Sequence, residues 1–150
     1  MTAWQGLQYE RATNGEDANE AARGEVLRDD RTREDLPLLR FLVEQEALCC
    51  ANGPSHGLGE QAALAGFLLA EHRQVEDVWR HFAIKRANFD AGCAYDVEHL
   101  FAAGVQVTVE HVRASDHPDR DEVLELLLGR SVDEDDLEEW FEHRREWFEA

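Results

Sequence analysis

Lysine is nearly missing from this chain: Lys85 is the only one, beside fourteen arginines. Together they face 33 acidic residues, for a formal net charge of −18 over 150 residues. A field of that sign repels phosphate backbones and anionic lipid, so direct nucleic-acid or membrane-surface binding is disfavoured. Long apolar runs are missing as well. The longest, residues 62–70 with Gly66 inside it, falls far short of the roughly 20 residues a membrane span needs. The first residues carry neither the basic patch nor the apolar run of a secretory signal, so a cytoplasmic location is expected. Three cysteines, with Cys49 and Cys50 adjacent, make no disulfide framework, which fits a reducing compartment. Phosphate-cradling glycine loops and the Gly-x-Ser-x-Gly elbow are absent, and no cofactor is expected. No repeat period is visible.

What is present is enough for a core. Apolar residues make up 43% of the chain, and its length is that of one domain. The acidity is uneven: residues 1–36 and 37–115 each sum to −4, residues 116–150 to −10. Residues 1–34 read as a polar, partly ordered segment, with Trp4, Leu7, Tyr9, Val26 and Leu27 as anchors and a helix near 17–30. Residues 35–150 read as a single helical domain.

Helical spacing governs that domain. Asp35 caps a helix that holds Pro37 in its first turn and ends at Asn52-Gly53-Pro54. Leu38, Leu39, Leu42, Val43, Ala47, Cys49 and Cys50 form its broad apolar stripe. A second helix, 58–73, is apolar nearly all round and therefore central. A third, 75–88, lines Val75, Val78, Trp79, Phe82 and Phe89 along one face. A fourth, capped by Asp90 and ending near Gly104, turns Ala94, Val97, Leu100 and Phe101 inward. Residues 105–113 fit a strand by alternation and a helix by Val105, Val109 and Val112; with no second strand to pair, helix is preferred. Asp119 with Glu122 opens a helix that Gly129 stops, and Ser131 with Glu134 forms a capping box for the last, 133–149. The expectation is an all-α fold, a compact helical bundle or a short array of helix pairs, with six to seven helices.

Three constellations bear on chemistry. Asp77 with His81, and Asp96 with His99, stand at helical spacings, and facing helices that offer carboxylate and histidine build metal centres. The plainer reading is solvated faces with an Asp77–His81 helix pair. Arg73, Arg80, Lys85 and Arg86 concentrate positive charge, either to hold an anion or to pair with nearby acids. Cys49 and Cys50 lie near His56, but a helix carboxyl end raises a thiol's pKa, so they read as structural.

The last helix is the most distinctive. Leu137, Trp140, Phe141, Trp147 and Phe148 form one aromatic stripe on a helix otherwise covered with Asp, Glu and Arg. Either it closes the core or it binds a partner. With no catalytic signature, the leading expectation is an acidic protein-binding module or regulator, neutralising a basic partner or forming a homodimer through this helix. The alternatives are a metal-binding helical-bundle enzyme and a nucleic-acid mimic.

Overall fold

A computed structural model of the chain describes residues 4–13, 15–52 and 59–149. Among them are eight α-helices and no β-strand, only an isolated bridge between Arg11 and Asp17. In chain order the helices are α1 (Glu20–Leu27), α2 (Leu36–Asn52), α3 (Glu60–Ala70), α4 (Val78–Lys85), α5 (Phe89–Ala94), α6 (Val105–Ala114), α7 (Arg120–Leu128) and α8 (Glu134–Glu149). The fold is all-α, as the periodicity implies.

The long α2 is the spine. Leu39, Leu42 and Val43 are fully buried, and α2 packs on α3 along one side and α4 along another. Its start follows the sequence: Asp35 Oδ1 accepts from Leu38 N at 3.2 Å. Helix α3 is buried along nearly its whole length, and Gly66 is required there because a Cβ would overlap the Tyr95 hydroxyl. Phe67 joins α3 to α8, with ring centroids 5.8 Å from Trp140, 6.0 Å from Phe141 and 5.3 Å from Phe148.

Residues 105–113 are helical, with Thr108 and Val112 buried. Their helix begins after Gly104, whose φ of 126° lies outside the range comfortable for other residues. Its first amide groups are capped from a distance: Glu134 Oε1 accepts from Val105 N at 2.7 Å and Gln106 N at 3.2 Å. That use of Glu134 displaces the expected box with Ser131. Asp133 and Asp136 make it instead, Asp136 N donating to Asp133 Oδ1 at 2.7 Å and Asp133 N to Asp136 Oδ2 at 3.2 Å. Asp119 likewise makes no side-chain cap and pairs with Arg86 at 3.0 Å.

The stretch from 75 to 104 is more broken than its spacing implies. Val75–Asp77 is a 3-10 turn leading into α4, Asn88 caps α5 by accepting from Ala91 N at 2.7 Å, and Val97–His99 is another 3-10 turn. Lys85 makes the break tight, its Nζ donating to Gly92 O at 2.7 Å and Tyr95 O at 2.6 Å. One consequence is that Phe89 is turned outward instead of continuing the Trp79–Phe82 stripe.

The amino-terminal segment docks on the helices. Trp4 packs 5.0 Å from Phe41, Tyr9 N donates to Gln45 Oε1 at 2.7 Å, and Leu27 is buried.

Candidate functional site

Of the four metal candidates only His81 and His99 approach each other, and the two carboxylates are engaged elsewhere. Asp77, buried, accepts from Arg40 Nε at 2.9 Å and Arg80 Nη1 at 3.0 Å. The Asp77–His81 helix pair is not formed: both guanidinium groups bond Asp77 Oδ1, and the buried Oδ2 has no hydrogen-bond partner among the described residues. Asp96 Oδ2 accepts from Trp140 Nε1 at 2.9 Å and Arg144 Nη2 at 2.6 Å. His81 and His99 do meet, their ring centroids 5.7 Å apart, with Tyr95 stacked on His99 at 3.9 Å. No group of three metal-ligating side chains forms among the described residues.

This aromatic cluster is polar and buried. His99 Nδ1 donates to the Asp96 carbonyl at 2.9 Å, and His81 Nδ1 is hydrogen-bonded to the Tyr95 hydroxyl at 2.7 Å. His81 Nε2 has no partner. Burial, reinforced by His99 and Arg80, drives the His81 pKa well down. Burial also drives that of His99 down to about 3, the Asp96 carbonyl opposing and Arg144 and Lys85 assisting. Both imidazoles are held neutral, and the cleft beside His99 has room for about one water, at 20 Å³.

The remaining chemistry-bearing residues are also absorbed. Arg73 pairs with Glu138 at 2.6 Å and lies 3.8 Å over the Phe141 ring; Arg80 and Arg86 pair with Asp77 and Asp119. The three arginines thus pair with acids, Arg73 with one from α8, whereas Lys85 donates to backbone carbonyls instead. Burial pushes the Cys49 thiol up to about 12 and Cys50 up to about 11, with nearby carboxylates adding to both, so neither is a thiolate nucleophile. His56 lies outside the described residues.

The aromatic stripe of α8 divides between two environments. Leu137, Trp140 and Phe141 are buried in the core, whereas Trp147 is 61% exposed and Phe148 half-buried. Two open grooves flank Phe148. One, of about 320 Å³, runs past Phe67, Glu71, His72 and Arg145. The other, of about 400 Å³, is floored by Leu27, Leu64 and Phe148 and walled by Trp147, with Arg28 and Glu60 at its rim.

The wall that α1 gives this second groove is set by a buried ion network. Arg23, fully buried, donates to Glu46 Oε2 at 2.6 Å, to Leu7 O at 3.2 Å and to the Asp17 carboxylate. Gln61 adds bonds to Glu46 Oε2 at 3.1 Å and Glu20 O at 2.8 Å, tying α3 to both. Burial pushes Glu46 up while Arg23 opposes it. Burial also pushes Asp17 up, but the bonds from Arg23 and two backbone amides prevail and hold it below the usual carboxylate range.

On the other side of Trp147 lies the acidic face of α8. Glu139, Glu142 and Glu146 are exposed and make no ion pair among the described residues. At 100° per residue they fall on one side of the helix with Trp147 at the border.

The aromatic stripe of α8 is visible in the sequence, whereas the network of Arg23, Asp17, Glu46 and Gln61 is not. The one sequence signal for them is a glutamate, Glu46, in the middle of the α2 apolar stripe. No protein-family model, no curated protein and no solved structure matches this chain.

Proposed function

We propose that the chain is an acidic protein-binding module. It engages a basic amphipathic segment of a partner protein along the carboxyl-terminal half of α8. The observation that carries this reading is the exposed Trp147 beside an apolar-floored groove. Large exposed aromatics next to a pocket are the usual anchors of protein interfaces. The chemistry of the partner follows from the surroundings. An apolar side chain enters over Leu27, Leu64 and Phe148, while arginines or lysines of the same helix meet Glu139, Glu142 and Glu146. The −10 balance of residues 116–150 adds long-range attraction, which speeds encounter and selects for positive partners.

The test is fluorescence anisotropy with a labelled helical peptide carrying leucines on one face and arginines on the other. The reading predicts that Trp147→Ala weakens binding by about 30-fold, the cost of a 2 kcal/mol anchor. It also predicts loss of affinity as salt rises. Equal binding by wild type and Trp147→Ala would reduce the interaction to unspecific charge attraction and overturn the reading.

A further inference from the structure

The groove beside Trp147 carries a polar atom whose direction the fold fixes. Gln61 Nε2 has both its hydrogens committed, one to Glu20 O at 2.8 Å and one to Glu46 Oε2 at 3.1 Å. The amide oxygen and nitrogen are therefore not interchangeable, and Oε1 is held on the other side of the amide. There it lies over Gly24, at the place a Cβ would overlap. Gly24 and Gln61 both line the groove. Among the described residues Oε1 accepts no hydrogen bond, and it is not closed off from solvent. The groove thus presents an oriented, unanswered acceptor beside a floor of Leu27, Leu64 and Phe148, with Trp147 as its wall.

We propose, building on the function proposed above, that the partner side chain seated here is a tryptophan, its ring on the apolar floor and its indole N–H donating to Gln61 Oε1. An indole is apolar except for one donor, and it has no acceptor that burial would leave unpaired. Leucine or phenylalanine would fill the floor but cover Oε1 without giving it a donor, and an acceptor stripped of water in that way costs affinity. A guanidinium would bring several donors to this one acceptor, and its charge would be desolvated over three apolar side chains. At the rim Arg28 and Glu60 cancel in charge, so the groove itself does not select a cation. Trp147 offers an incoming ring an edge-on or offset aromatic contact. The basic residues of the partner stay with Glu139, Glu142 and Glu146, and selection inside the groove is by shape and one hydrogen bond.

The test is fluorescence anisotropy of the full chain with otherwise identical basic helical peptides bearing tryptophan, benzothienylalanine or arginine at the anchor position. Benzothienylalanine keeps the shape of tryptophan and puts sulfur in place of the N–H. The tryptophan peptide is expected to bind about fivefold more tightly than the benzothienylalanine peptide, and more tightly than the arginine peptide. The ratio between the first two is expected to hold as salt rises, although both affinities fall, because the donor is uncharged. In Gln61→Met, with folding verified by circular dichroism, that ratio is expected to vanish. Equal binding of the tryptophan and benzothienylalanine peptides by wild type would overturn the proposal, as would tightest binding by the arginine peptide. If Trp147→Ala still weakens every peptide in that event, the groove stands and only its choice of tryptophan falls. If Trp147→Ala changes none of the affinities, the function proposed above falls with it.

Discussion

Replacing His99 with Gln removes one of two imidazoles that the fold keeps neutral in its interior, and acid reveals what that costs. In the unfolded chain His99 takes up a proton near its ordinary pKa of 6.5; in the folded chain it does so only near 3. A base whose folded pKa is depressed contributes stability that is fully present above the unfolded value. That stability is lost as pH falls from there toward the folded value, because the unfolded state binds the extra proton. At pH 5 the gap already amounts to about 1.5 pH units, or roughly 2 kcal/mol from His99 alone. His81 acts in the same direction. Relief of the −18 repulsion as carboxylates protonate opposes the loss, so wild type alone is not diagnostic. The comparison is urea unfolding of wild type and His99→Gln at neutral pH and near pH 5. The variant should lose about 2 kcal/mol less on acidification, whatever its stability at neutral pH. Identical pH dependence in the two proteins would refute the idea that a buried neutral imidazole sits at position 99.

Arg23→Ala strands Glu46 and Asp17 without their guanidinium, and breaking a buried pair in this way costs about 3–5 kcal/mol; denaturant unfolding should show it. Gly66→Ala drives a methyl group into the Tyr95 hydroxyl and should destabilise by about 1–3 kcal/mol, read as a lowered thermal midpoint.

The elements that could be read from the sequence are those whose signals are local. Asp35 before an apolar stripe, the Val105/Val109/Val112 spacing and Gly129 after Leu128 each state a boundary within a few residues. What could not be read depends on partners distant in the chain. Whether Glu134 closes a box with Ser131 or caps α6 is decided by a helix end 29 residues away. The break after Lys85 comes from a side chain reaching two carbonyls ahead of it. The aromatic stripe of α8 is continuous in sequence. Its division into a core half and an exposed half follows from where α1 and α3 lie against it. That placement rests on Arg23, whose burial no periodicity announces because it is a charged residue in a short, weakly amphipathic helix.

The groove beside Trp147 is the centre of the account, and peptide titration tests it most directly. With a basic amphipathic helix as probe, wild type should bind tightly and release in salt. Trp147→Ala, with its fold and charge unchanged, should bind about 30-fold more weakly. Binding that survives the substitution unaltered would contradict the claim that this tryptophan anchors a partner.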